Sequence, residues 1–552
     1  MDASLIGQMM AAGLFILIIL FLMSGYLVAF TLGGLAILVG FAGIWAGAFD
    51  PALFAALPNR FWGVITNPVL VAVPLFVFMG VVLERSGIAE LLLTTMGQVF
   101  GRLRGGLALS VVLVGTLLAA ATGVVGATVV TMGLLSLPAM MRAGYDPKLA
   151  CGTICAAGTL GQILPPSTVL IFMADILQGA NSAAQLALGN FAPDTVSVGD
   201  LFAGAMIPSL ILAGLYALFI IWRAIAAPQT CPPVAMTADE RAGLAARVVS
   251  ALIPPITLIV AVLGSIVSGV ATPTESASVG AVGALFLAAV RMLADRVFRH
   301  LSPAERDARM CWFWVAFLGV LGATAMLFGG AGLLNLIVVA LALAVLAILV
   351  TGSVRGAYLQ TVFRSCIATM SITSMVFVIL LGATAFALVF TQMGGGSMVR
   401  GFLESMPGGQ TGALITVFAI IFVLGFFLDT FEILFIVVPI TAPVLLIMGV
   451  DPIWLGVMMG VLLQTSFLTP PFGFSLFYLR GVASNAIATL QIYRGAVPFI
   501  GLQIVALAIL WFLPETATWL PNEIFRSDAP GAGGAAPPPA FDQDGGGEDD
   551  FL

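Results

Sequence analysis

Six hydroxyl side chains and three carboxylates stand out in a chain that is 61% hydrophobic and only 8% charged. Thr122, Thr159, Thr430, Thr465, Ser466 and Thr469 sit where long apolar runs are interrupted, and Asp429, Glu432 and Glu275 lie within or between such runs. An unpaired charge at membrane depth is expensive, so acids there are candidates for function. Hydroxyls beside the carbonyls that a broken helix exposes form an oxygen-only ligand set, suited to a hard cation such as Na+. Half-helix N-termini offer N–H groups to an anion. Gly126, Gly161 and Gly473 fall in the same interruptions and suit close backbone approach. Asp429 reads as a cation ligand or a substrate-proximal group. Glu275, in GVATPTES, reads equally as the acid of a helix N-cap. Asp146 and Asp451, each followed by proline, read as helix caps.

Other chemistries lack their parts. His300 is the single histidine and sits in the charged loop RVFRHLSPAERDAR, which leaves neither zinc nor Ser-His-Asp chemistry a constellation. Cys151 and Cys155, one helical turn apart in an apolar run, read as small packing residues. No GxxxxGK[ST] loop supports ATP hydrolysis, no basic n-region marks a cleavable signal peptide, and no basic stripe suggests nucleic acid. An intramembrane enzyme, the remote alternative, would need a Ser/Lys dyad, a paired histidine or a metal motif. No enzymatic activity is expected.

The elements that must carry these residues are membrane helices. Mean hydropathy is +1.15, and the apolar runs are continuous rather than alternating, which fits helices of ~20 residues and excludes barrel strands. Two runs break visibly: 107–141 at TGVVGAT from Thr122, and 149–178 at GTLGQILPPST from Gly158, where Pro165 and Pro166 cannot continue a helix. The same pattern returns 305 residues later. Pro138 to Asp146 and Pro443 to Asp451 are both 8 positions, and Asp146 to Pro165 and Asp451 to Pro470 are both 19. Ser24–Gly25 matches Ser268–Gly269, and GAMIP at Gly204 matches GAVP at Gly495. The chain therefore divides into a first repeat over 1–222 (re-entrant hairpin 106–141, broken helix 149–178) and a connector over 223–248. A second repeat follows over 249–513 (two-span insertion 292–352, hairpin 412–448, broken helix 453–479). Arg102, Arg104, Arg142 and Lys148 flank the first hairpin, whereas Arg480 and Arg494 follow the second broken helix, so the repeats are inverted. That orientation puts both termini on the periplasmic side and 223–248 and 291–310 in the cytoplasm. Interrupted helices in inverted repeats are the build of secondary transporters, with the site between the copies near the midplane. The four interruptions, 122–128, 158–167, 427–432 and 465–473, are expected to converge there.

The formal net charge of -6 is a property of one end. Residues 514–552 hold eight acids against Arg526 alone, in a Pro/Gly-rich run that reads as a disordered tail.

PLFVFMGVVLERSGIAE from Pro74, GRLRGGLALS from Gly101, TLGQILPPS from Thr159, SGVATPTESASVGA from Ser268 and LTPPFGFSLF from Leu468 resemble the large permease subunit of TRAP transporters, the DctM type. These are the tripartite ATP-independent periplasmic transporters. LDTFEILFIVVPITAPV and TGVVGATVV look more like the mannitol/chloroaromatic or 2-oxo acid branch. The resemblance implies an all-α polytopic membrane protein with an elevator-type ion-transporter fold and Na+-coupled uptake of organic anions. It implies two partners, a small four-helix membrane subunit and a periplasmic substrate-binding protein, and an inner-membrane location. It places sodium at Thr122, Gly123, Val125, Thr159, Gly161 and Leu164, and at Asp429, Thr430, Thr465, Thr469 and Pro470. Gly126, Thr128, Glu275, Glu432, Ser466 and Gly473 are then substrate-proximal. Many relatives carry a serine pair where this chain has Val124 and Val125, which leaves mainly carbonyls at the first tip. The alternative is a stand-alone carboxylate or ion antiporter of the related inverted-repeat superfamily.

Overall fold

A computed structural model describes residues 3–123, 125–191, 194–234, 243–301, 303–328, 340–341, 344–345, 355–470, 473–484 and 487–526. Outside them lie Val124, part of the connector (235–242), much of the second span of the insertion, Pro471–Phe472 and 527–552; nor is the Thr122 side chain described. Among the described residues every regular element is a helix, and nine helices are long and apolar enough to cross a membrane. In lipid a helix satisfies its own backbone groups, which is why continuously apolar runs take this form.

The helices fall into two bodies. In the first, Val28–Trp45 packs along Arg355–Gln392, and Pro273–Val297 packs along Pro68–Arg85. Small residues permit the approach: a Cβ on Gly382 would sit 2.4 Å from the Ala29 carbonyl oxygen, and one on Gly280 2.6 Å from the Met79 sulfur. Pro303–Phe328, the described span of the insertion, lies along Leu244–Val267 and is anchored where Arg247 Nε donates to Asp307 at 2.7 Å.

The second body holds the interrupted helices. The first hairpin has arms Gly106–Thr122 and Val125–Arg142, followed by Pro147–Thr159 and, beyond its break, Thr168–Ala187. The second hairpin has arms Gly409–Leu424 and Thr430–Ile447, followed by Pro452–Leu468 and Phe474–Val482. The Thr430–Ile436 and Val438–Ile447 segments meet at 53°. Pro439, with no N–H and a ring that crowds the preceding turn, accounts for that bend. Val198–Ala226 and Thr489–Phe512 complete this body.

The two halves are related by a two-fold axis, and particular contacts show it. Gly144 and Gly449, 305 apart, both take left-handed conformations (φ 80° and 90°) just before the capping Asp146 and Asp451. The two pairings of the first body, Val28–Trp45 on Arg355–Gln392 and Pro273–Val297 on Pro68–Arg85, exchange under the repeat. Gly152 packs on Gly495, and their repeat mates Val457 and Gly204 pack on each other. Thr159 and Gln464 are equivalent positions, yet they touch, with Gln464 Nε2 donating to Thr159 Oγ1 at 3.2 Å. Equivalent residues meet only on the axis. Passing from Gly456 to Gly460 to Gln464, the neighbours run from Leu177 through Leu170 and Ile163 back to Thr159. The stretch Gly456–Gln464 therefore runs antiparallel to residues 159–177 of the first repeat.

Two expected boundaries move. The acidic tail does not begin at 514: Glu515–Pro521 is helical and packs on Val198–Ala226, with Ala517 fully buried and its carbonyl against Gly204. The apolar face of ATWLP, read from composition as part of a polar tail, is enough to hold it down. The connector is also shorter than 223–248, because the helix before it runs to Ala226 and the next starts at Leu244.

Candidate functional site

The four interruptions meet in the second body. At the first tip Gly123 ends its helix in the left-handed conformation (φ 60°), with its N–H closing on the Ala119 carbonyl at 3.0 Å. Its own carbonyl accepts from Thr168 Oγ1 at 3.0 Å, which ties the tip to the break of the first interrupted helix. Gly126 faces the Tyr478 ring, which a Cβ would meet at 3.1 Å, so the same tip also touches the helix beyond the second break. At the second tip Gly425 lies against Ser466, where a Cβ would come within 2.2 Å of Oγ. Thr430, 1% exposed, accepts from Gln162 Nε2 at 2.7 Å, crossing from the second tip to the first break. Phe172 stands edge-on to Phe431 and Phe435, at 5.7 and 5.1 Å, and secures the same junction.

The breaks are built by residues that cannot continue a ladder. After Thr159 the chain makes one 3-10 turn over Leu160–Gln162, meets the Pro165–Pro166 pair, and restarts at Ser167, whose hydroxyl accepts from Val169 N at 3.2 Å. Ser167 Oγ also donates to the Gln162 carbonyl at 2.6 Å. In the mate, Thr469 and Pro470 end the helix, and Gly473 folds back so closely that a Cβ would lie 2.7 Å from the Phe467 carbonyl. No alanine fits there without moving backbone.

The hydroxyls share a feature that matters for cations. Thr159 donates to Ala156 O, Thr465 to Val461 O, Ser466 to Leu463 O and Thr469 to Thr465 O, all between 2.7 and 2.9 Å. With their protons committed inside the helix, these oxygens are left as acceptors, and that of Thr159 already accepts from Gln464 Nε2. Val125, Thr128 and Leu164 are buried at the first tip and break. Asp429 and Glu432 are half-buried at the second tip, where Glu432 Oε2 accepts from the Asp429 N–H at 3.0 Å.

Two assignments are corrected. Glu275 belongs to no interruption: it is exposed, and its carboxylate accepts from the N–H and hydroxyl of Thr272 in a capping box at the start of Pro273–Val297. Gly161 is not forced by close approach, since a Cβ there would meet Ala119 at an ordinary 3.5 Å.

Sequence reasoning missed Gln162, Gln464 and Tyr478, whose partners lie in the other repeat, and Thr168, whose partner Gly123 lies in the same one. It also passed over two acids that the intramembrane rule applies to. Glu84 accepts from Thr131 Oγ1 of the first hairpin, and Asp175 accepts from Asn67 Nδ2 at 2.7 Å. Both bonds join the two bodies.

Beneath the tips, on the axis, lies a second polar cluster. Tyr216, Gln464, Gln503 and Thr159 are fully buried, and the Tyr216 hydroxyl lies near the other three without reaching hydrogen-bond geometry. A buried hydroxyl without a partner costs about 1–3 kcal/mol. Tyr216→Phe is therefore expected to raise the melting temperature of the purified chain or leave it unchanged. A clear drop would show that the hydroxyl is bonded.

The family model for the tripartite ATP-independent periplasmic transporter, DctM component, matches residues 15–331 and 307–516. The chain is 29% identical over 519 residues to the C4-dicarboxylate TRAP transporter large permease protein DctM of Vibrio cholerae, covering 93% of this chain and 98% of that one. It is 24% identical over 516 residues to the ectoine/5-hydroxyectoine TRAP transporter large permease protein UehC of Ruegeria pomeroyi, covering 94% and 100%. Among solved structures, the Alcanivorax borkumensis YdaH transporter aligns with a TM-score of 0.49 at 16% identity, covering 85% of this chain and 88% of that one. Inverted repeats, four converging interruptions and a family match spanning nearly the whole apolar body lead to one conclusion: the chain belongs to the DctM family of TRAP transporter large permeases.

Proposed function

We propose that this permease imports a small organic acid by Na+ symport, receiving it from a periplasmic substrate-binding protein and working with a small four-helix membrane subunit. The observation that carries the proposal is the convergence of two hairpin tips and two helix breaks on oxygen ligands whose protons are already committed. Sodium is cargo here. One ion is assigned to Gly123, Val125, Thr159, Gly161 and Leu164 with Thr122, and another to Asp429, Thr430, Thr465, Thr469 and Pro470. Among the described residues no cluster of three or more His, Cys, Asp or Glu exists, which favours a weakly bound, exchangeable monovalent ion over a resident metal.

The substrate lies between the tips, near Gly126, Thr128, Glu432, Ser466 and Gly473. The relatives are named for C4-dicarboxylates and for ectoine, so a carboxylate-bearing solute is the class proposed. Transport moves the interrupted-helix body against the other as an elevator. Hydrogen bonds join the loops around 101–105, 143–146 and 227–234, with Gly105 N to Cys231 O at 3.0 Å and Asp146 N to Thr230 O at 2.9 Å. That face carries Arg102, Arg104, Arg142 and Lys148, so it is assigned to the cytoplasm of an inner-membrane protein. Reconstituted with both partners, the chain is expected to take up substrate only under an inward Na+ gradient, independently of ATP. Uptake by the chain alone would instead favour the stand-alone antiporter.

A further inference from the structure

Lys148, Arg223 and Arg494 come from three helices, Pro147–Thr159, Val198–Ala226 and Thr489–Phe512, and line one cavity of about 470 Å3. None of the three takes part in the ion pairs among the described residues. The only carboxylate in the lining is that of Asp146, and it is engaged as a helix cap, accepting from the Lys148 N–H at 3.0 Å. Three cations thus face one cavity with one acid against them. The other walls are aromatic, from Phe219, Trp222 and Phe499. Like charges gathered without counter-ions repel, and an anion that fills the space between them removes that repulsion.

The surroundings decide what kind of anion. All three cations stand in or near the terminal turn of an apolar helix, at the level where a membrane meets water. Beside the opening, Leu218, Trp222, Ile225 and Val497 are 62%, 58%, 78% and 59% exposed and present an outward apolar face. A soluble anion uses only the cations. A phospholipid uses both surfaces, its phosphate among Lys148, Arg223 and Arg494 and its chains along that face. We propose that this cavity is a binding site for the phosphate of an anionic phospholipid.

The test uses the full-length permease in nanodiscs of phosphatidylcholine, with or without 10–20% phosphatidylglycerol or cardiolipin (about one to two anionic lipids per ten). The readouts are melting temperature and lipid retained in native mass spectrometry. Wild type is expected to melt several degrees higher with the anionic lipid and to retain it after exchange into phosphatidylcholine. Arg494→Gln alone is expected to weaken retention by at least fivefold, and Lys148→Gln/Arg223→Gln/Arg494→Gln to abolish it. Arg494→Lys keeps the charge and should keep most of the retention, which separates lost binding from lost folding. In a further arm, inorganic phosphate at millimolar concentration is added to pure phosphatidylcholine discs. A shift equal to that of the lipid would make the ligand a free phosphate and overturn the lipid assignment. Equal retention by wild type and Arg494→Gln would overturn the site.

Discussion

Gly152→Leu is expected to abolish folded permease. At Gly152 a Cβ would stand 2.1 Å from the Gly495 carbonyl oxygen, and at Gly495 one would stand 2.1 Å from the Lys148 carbonyl oxygen. These are backbone-on-backbone contacts, so no rotamer change relieves them. In lipid such close approach is a main source of helix association, because apolar side chains gain nothing by leaving lipid tails. Overpacking in general costs about 1–3 kcal/mol and occasionally more. A site clamped by main chain on both sides lies at or beyond the upper end. Gly501→Ala makes the control: it shares a helix with Gly495, and nothing lies within 4 Å of its added Cβ. The measurement is the monodisperse fraction on size exclusion together with the melting temperature. Wild-type behaviour of Gly152→Leu would mean that Pro147–Thr159 and Thr489–Phe512 are not packed as described.

The largest functional effect is expected at Asp429. A carboxylate about 4 Å from a cation interacts with it by ~4 kcal/mol at an effective dielectric constant near 20. Asp429→Asn keeps the shape and removes the charge. The half-saturating Na+ concentration for uptake is therefore expected to rise by about a hundredfold or more, with a smaller change in substrate half-saturation. Glu275→Gln, on an exposed helix cap far in chain position from either tip, should leave both unchanged. A sodium titration of reconstituted uptake at fixed substrate decides the matter. If Asp429→Asn titrates like wild type, the second ion is held without this carboxylate.

Much of the architecture could be read before any coordinates, because proline and Asp-Pro spacings survive where apolar residues drift. The 305-residue offset agrees with the matched left-handed glycines at 144 and 449. The interruptions could be read for the same reason, since Pro165, Pro166 and Pro470 cannot be hidden in a helix. What could not be read is which tip meets which break. Gln162 reaches Thr430 over 268 residues, and Gln464 reaches Thr159 over 305. Nothing local in either glutamine points to its partner. Glu84 and Asp175 are a different kind of miss. Each carried the signal that singled out Asp429, an acid in an apolar run, but neither lies in a break. Glu275 had two readings, and the capping box that TPTES spells is the one that formed.

Asn67–Asp175 and Thr131–Glu84 deserve a mechanical reading. An apolar seam is nearly indifferent to sliding: each methyl that leaves one neighbour finds another, or finds lipid. A hydrogen bond has no such tolerance, for it is made at one position and lost within an ångström or so of travel. In the elevator motion proposed above, these two bonds would act as detents. Each contributes roughly 0.5–1.5 kcal/mol net, more where the acceptor is charged, which in that motion would be enough to define a resting position and too little to hold the body there.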